Sequence, residues 1–168
     1  MRILRKIKDW FKYDIPYGIQ NLRVWFPVIW KDRNFDFYFI YAIMRHKLHL
    51  MEKSIRKYGC HVNAEKDADD IKRCVLLLDR LMADGYHENA FKKYYERWGD
   101  PEMTTIPCKD DPNLHSLEFI YENVHTEMDE IIRKKQFSNA FEHERYLKEQ
   151  DKKLLFKMME KHIEGWWD

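Results

Sequence analysis

Turn-forming residues are scarce in this chain. Five glycines and five prolines serve 168 residues, whereas an all-β fold needs a turn signal roughly every 8–12 residues. Few turns imply few, long elements. Cysteine is scarce too. Cys60, Cys74 and Cys108 are odd in number, scattered and without a Cys-x-x-Cys pair, which suits free thiols in a reducing, cytoplasmic setting better than a disulfide framework. No run approaches the ~18 apolar residues that span a membrane. The N-terminus, MRILRKIKDWF, lacks the unbroken apolar core of a signal peptide. Net charge is only +1, so no global field draws the molecule to nucleic acid or anionic lipid, and any such binding needs a local patch. Phosphate-loop, dinucleotide-fold and zinc-finger signatures are absent, and no serine or cysteine lies in a nucleophile motif. The sequence therefore assigns no catalytic residue, no metal ligand and no cofactor.

What is present is helical periodicity. Apolar residues make up 45% and charged residues 35% of the chain, a balance that suits a folded helical protein and argues against wholesale disorder. Ile3, Leu4, Ile7, Trp10 and Phe11 recur at helical spacing among Arg2, Arg5, Lys6, Lys8 and Lys12, predicting a short basic amphipathic helix. Pro16 and Gly18 should break it, and a second short piece should carry Ile19, Leu22, Val24, Trp25 and Phe26 up to Pro27. Asp32 is the expected N-cap of a long helix to about Lys57, closed by Gly59 at the position that favours a left-handed backbone. Asn63 should cap the next helix, whose acidic start in AEKDADD complements the positive end of the helix dipole. Its buried face is Ile71, Cys74, Val75, Leu78, Leu81 and Met82, and Gly85 ends it. A shorter helix covers Glu88 to Trp98. The stretch DPEMTTIPCKDDPN reads as the one long polar connection and the best candidate for a mobile loop. From Leu114 the stripe Leu117, Ile120, Tyr121, Val124, Met128, Ile131 predicts helix again. Gln136–Phe141 is a possible interruption, recapped by Ser138 or Asn139, and Trp166 and Trp167 should dock on the core. The expected architecture is all-α: one irregular bundle of five or six helices, a single domain over residues 1–168.

The densest chemistry lies in VWFPVIWKDRNFDFYF, Val24 to Phe39. One reading makes it a structural corner, with Pro27 ending one segment, Asp32 capping the next, Trp30 buried and Arg33 paired with Asp36 at i,i+3. The other makes Trp25, Trp30 and Arg33 an exposed surface, because indole and guanidinium faces suit a base or a protein partner. The basic N-terminal helix has the same ambiguity. It can dock on its own core, lie on a membrane surface or touch phosphates.

Metal chemistry is poorly supported. His46 and His49 are spaced i,i+3, and Glu122 with His125 forms one Glu-x-x-His pair, where a di-iron bundle needs two such pairs plus two further glutamates. Glu127 and Glu130 have the Glu-x-x-Glu spacing of helical nucleotide pyrophosphatases, but the Glu-x-x-Asp partner is missing. The acidic run Glu65, Asp67, Asp69, Asp70 reads as a helix start facing solvent.

The runs RVWFPVIWKDRNFDFYFIYAIMRHKLHLMEKSI and AEKDADDIKRCVLLLDRLMADGYHENA, with the ending HIEGWWD, resemble a family of small proteins encoded by tailed bacteriophages. The shared block is Trp-x-Asp-Arg-x-aromatic-Asp, here Trp30, Asp32, Arg33, Phe35 and Asp36, together with the paired terminal tryptophans. The resemblance covers most of the chain. It implies a phage origin and the cytoplasm of an infected bacterium, and it carries no activity and no catalytic residue with it.

Three function classes follow. The first is a non-enzymatic phage accessory protein that binds a host or phage macromolecule, a protein foremost, through Arg33, Asp36, Trp30, Trp25, Arg5 and Lys8. The second is a nucleic-acid-binding module using the basic N-terminal helix and the Trp/Arg block. The third is a metal-dependent helical enzyme acting on nucleotides. Oligomeric state is left open by the sequence.

Overall fold

The computed structural model describes residues 8–33, 35–108 and 114–166. Five α-helices follow in order: α1 Ile15–Ile29, α2 Phe37–Tyr58, α3 Ala64–Ala83, α4 Tyr86–Trp98 and α5 Glu127–His162. Between α4 and α5 lies a hairpin of two strands, β1 Glu102–Pro107 and β2 His115–Ile120. The chain is thus mostly helical, but the all-α expectation is corrected by this hairpin. By contact density the described residues fall into two compact units, one within Met1–Met82 and Met158–Asp168, the other within Ala83–Lys157.

In the first unit, α1 is preceded without a break by a π-helical turn, Trp10–Asp14. The expected break at Pro16 does not occur. Pro16 sits in the first turn of α1, directly after the π turn, so its missing N–H falls where the hydrogen-bond register changes from five residues to four. The π turn absorbs the change of pitch, with the Ile15 N–H donating to the Trp10 carbonyl five residues back. Nor does Pro27 end the helix. It lies inside α1, and the Trp30 N–H still donates to the Phe26 carbonyl at 2.9 Å.

The cap of α2 is Asp36, not Asp32. The Asp36 carboxylate accepts the Tyr38 N–H at 2.9 Å, and its backbone is extended, as an N-cap requires. Gly59 follows α2 with an extended backbone rather than a left-handed one. It is glycine for a different reason: a Cβ there would meet the Ile55 carbonyl oxygen at 2.5 Å.

Helix α3 follows the predicted pattern. Ala68, Ile71, Cys74, Val75, Leu77, Leu78 and Leu81 are buried, repeating at the 3.6 spacing of one wide face. Burial pushes the Cys74 thiol up to about 11. The carboxylates of the acidic start, Glu65, Asp67, Asp69 and Asp70, are all engaged. Arg56 on α2 donates to Glu65 at 3.0 Å and Asp69 at 2.7 Å, His61 meets Asp67 at 3.0 Å, and Arg73 reaches Asp70 at 3.0 Å. Arg45 of α2 is paired with Asp79 of α3. Trp166 is buried, as expected, whereas Trp167 lies outside the described residues.

In the second unit, α4 begins at Tyr86, earlier than the sequence suggested, and ends on Gly99, whose φ of 79° favours glycine. The left-handed residue between α3 and α4 is Asp84 (φ 50°) rather than Gly85, a role Asp tolerates through its short polar side chain. Asp84 is held by Lys148 Nζ at 2.8 Å. The strands pair antiparallel with Met103 opposite Phe119 and Thr105 opposite Leu117. Both the expected loop over residues 100–113 and the expected helix from Leu114 are therefore overturned across residues 102–107 and 115–120.

Helix α5 starts only after a reciprocal cap. Thr126 Oγ1 accepts the Asp129 N–H at 3.1 Å, and the Asp129 carboxylate accepts the Thr126 N–H at 3.0 Å. It then runs unbroken through Gln136–Phe141, so no recapping at Ser138 or Asn139 occurs. The core of this unit is Phe91, Tyr94, Trp98, Tyr121 and Ala140, with the Trp98 indole N–H donating to Gln136 at 2.8 Å.

Candidate interaction surface

Helix α1 contains one charged residue, Arg23, among fifteen, yet neither it nor the preceding π turn has a buried residue. Its apolar residues split into two sets. Val24, Trp25 and Val28 are half-buried, and Trp25 meets the His46 ring of α2 edge-on at 4.9 Å. His46 is thus a packing residue, and its buried Nε2 finds no hydrogen-bond partner among the described residues. The second set is Ile15, Ile19, Leu22, Phe26 and Ile29, spaced four, three, four and three residues apart. That alternation is the seam of a helix that packs on another helix. Ile15 is half-buried, but Ile19, Leu22, Phe26 and Ile29 are exposed, Leu22 by 66%. Gly18 beside the seam has nothing within 4 Å of where a Cβ would stand.

Trp30 extends this surface. The expected burial of Trp30 is corrected: it is 70% exposed and leans on Phe26 at 5.0 Å between ring centroids. The cap is Asp36 rather than Asp32, and the Trp30 indole stays outside. Phe35 is 90% exposed and Phe37 is exposed too. Arg33 is exposed, and its guanidinium donates to the Asp32 carbonyl at 2.8 Å. The expected Arg33–Asp36 side-chain pair is replaced by a backbone bond, from the Asp36 N–H to the Arg33 carbonyl at 3.1 Å, while the Asp36 carboxylate serves the cap. Lys8 is exposed, and Arg5 lies outside the described residues. Of the residues singled out from sequence, Trp30 and Arg33 thus share one exposed corner, whereas Trp25 packs inward and Asp36 is structural. Leu22, Phe26 and Ile29 were missed as surface residues, although their spacing and the lack of charge around them were readable.

A separate concavity lies in the second unit. A cavity of about 630 Å³ is lined by Leu117 and Phe119 of β2, by Tyr95 and His87 of α4 and by Arg133 and Phe137 of α5, among others. Arg133 forks onto Glu130 at 2.7 and 2.8 Å, donates to the Tyr94 hydroxyl at 3.0 Å and lies over the Tyr121 ring at 4.2 Å. Hydrogen bonding from Arg133 holds the Glu130 carboxyl down to about 2, and burial pushes the Tyr94 hydroxyl up to about 12. His87 stacks on Phe91 at 4.1 Å and bridges Glu144 and Tyr95, each at 3.1 Å. These polar groups already satisfy one another, which makes the cluster a packing and positioning network.

Glu122 and His125 are exposed in the connection between β2 and α5, so their Glu-x-x-His spacing lies on no helix. Among the described residues no three His, Cys, Asp or Glu side chains are grouped to hold a metal ion, and no helix is long and apolar enough to cross a membrane. No protein-family model, curated protein or solved structure matches the chain.

Proposed function

We propose that this chain is a non-enzymatic accessory protein of a tailed bacteriophage that acts by binding a macromolecule of the phage or its host, a protein foremost. The observation that carries the binding reading is the helical segment Trp10–Ile29, which buries no residue while presenting Leu22, Phe26 and, just beyond it, Trp30 to solvent. Contiguous exposed apolar surface of this kind marks interaction sites, and aromatic residues with an adjoining arginine are the side chains that carry most binding energy at protein interfaces. The phage origin is supported by the Trp30–Asp36 block and the tryptophan-rich ending. The test is affinity recovery of the full chain from infected cells, with and without nuclease. The expected result is a protein recovered in both arms by wild type and lost with Leu22→Glu and Phe26→Glu. Recovery that vanishes with nuclease, or that both variants retain, would contradict the proposal.

A further inference from the structure

The α1 seam has the geometry of a helix-binding face, and its electrostatic setting narrows what can lie on it. Residues 1–33 hold eight Lys or Arg against three Asp, a net +5 in a chain whose total is +1. Among the described residues, Lys12, Arg23, Lys31 and Arg33 are exposed, and none of them makes an ion pair. At these four positions the basic charge is therefore available rather than spent inside the fold, unlike Arg56 and Arg133, whose forks are filled by carboxylates.

From this juxtaposition of an unoccupied four-three seam and unpaired basic flanks, we infer that α1 docks an amphipathic helix of a partner protein, with an apolar stripe against Ile19, Leu22, Phe26 and Ile29 and acidic residues along its edges. The inference rests on the protein-binding reading above and names the class of partner. Three other occupants fit less well. A helix lying in a bilayer interface carries a Lys- or Arg-rich face opposite its apolar one, but opposite this seam stand Val24 and Val28, half-buried. A second copy packed seam to seam would bring two like-charged segments together, which electrostatics penalises. A nucleic acid backbone has no use for the four apolar side chains of the seam, because phosphate contacts come from cationic and hydrogen-bonding groups.

The test uses the full chain and two designed probes of roughly 20 residues, about the length that covers α1 with margin. Both carry Leu at the seam positions. One has Glu along its flanks and the other Lys. Fluorescence anisotropy should show the acidic probe binding at least about tenfold more tightly than the basic one. Raising salt from about 0.05 to about 0.5 M should weaken the acidic probe. Leu22→Glu or Phe26→Glu should weaken it by about tenfold or more with an unchanged thermal midpoint. The double reversal Arg23→Glu/Lys31→Glu, at exposed positions, should move the preference toward the basic probe. Equal binding of both probes, or of neither, overturns the inference. So does tighter binding to vesicles containing about 30% phosphatidylglycerol than to either probe, or a sedimenting dimer that Leu22→Glu dissociates. If neither probe binds while infected-cell recovery still depends on Leu22 and Phe26, the partner chemistry is wrong and the protein-binding reading stands. If recovery ignores both variants, that reading falls as well.

Discussion

Helices α1 and α3 have the same kind of sequence signal and opposite fates. Each is a helix of fifteen or twenty residues with a clear apolar stripe. Helix α3 buries eight residues and its carboxylates are matched by Arg56, His61 and Arg73. Helix α1 buries none, and its one charged residue, Arg23, makes no ion pair among the described residues. Burying a large aliphatic or aromatic side chain is worth about 1.5–3 kcal/mol, so a chain that leaves Leu22, Phe26, Ile29 and Trp30 in water forgoes stability that α3 collects. An apolar stripe thus reports that a helix face is to be covered, and only the packed structure tells whether this chain or another molecule covers it.

The comparison breaks most visibly at Leu78. Leu78→Ala, at a fully buried α3 position, should lower unfolding free energy by about 2–5 kcal/mol in urea titrations. A loss under ~1 kcal/mol would contradict the burial of α3 and remove its contrast with α1. Next in size is the cap of α2. Asp36→Ala should cost about 0.5–2 kcal/mol, whereas Asp32→Ala should stay within ~0.5 kcal/mol, an ordering that the reverse assignment of the cap would invert.

A pH experiment sharpens the contrast between satisfied and unsatisfied charge. The Glu130 carboxyl is held at about 2, below its ordinary 4.5, first by the Arg133 hydrogen bonds. A carboxyl depressed on folding adds stability that is complete above the ordinary value and disappears as pH falls through the lower one. The side chain is 37% exposed, so solvent screening keeps the effect to about 1 kcal/mol or less. Glu130→Gln should therefore be less stable than wild type at pH 7, with the gap closing between pH 4.5 and about 2 in thermal melts. A gap that persists unchanged below pH 2 would remove the ionic explanation. The smallest effect belongs to α1 and its corner: Leu22→Ala and Trp30→Ala should each shift stability by no more than ~0.5 kcal/mol, and a loss several times larger at Trp30 would restore the buried-corner reading.

Helical content was legible where one element used one face. The stripe from Ile71 to Leu81, the acidic start after Asn63 and Gly99 after Trp98 all match observed elements. The hairpin was not legible, because Leu117, Ile120, Tyr121 and Val124 repeat at three- and four-residue spacing and mimic a helix stripe. In fact Leu117 and Phe119 share one face of a strand. The β-branched run Thr104, Thr105, Ile106 was the overlooked signal, hidden among prolines. Two cap-competent aspartates stand four residues apart in the Trp30–Asp36 block, Asp32 before Arg33-Asn34 and Asp36 before Phe37-Tyr38, and the cap residue type alone does not choose between them. The candidate surface was half legible. Trp30 and Arg33 were singled out on chemistry, but Leu22, Phe26 and Ile29 carry the same signal as a core helix, and exposure is a property of the whole fold.

Hydroxyl-radical footprinting of the full chain, dilute and without any partner, tests the central claim most directly. Leu22, Phe26 and Trp30 should be oxidised at rates typical of solvent-facing side chains, several times faster than Leu78, Trp98 and Trp166, which are buried. Protection of Leu22 and Trp30 to the level of Trp166 in the free monomer would show that the chain covers its own seam, leaving no open surface on α1 for a partner.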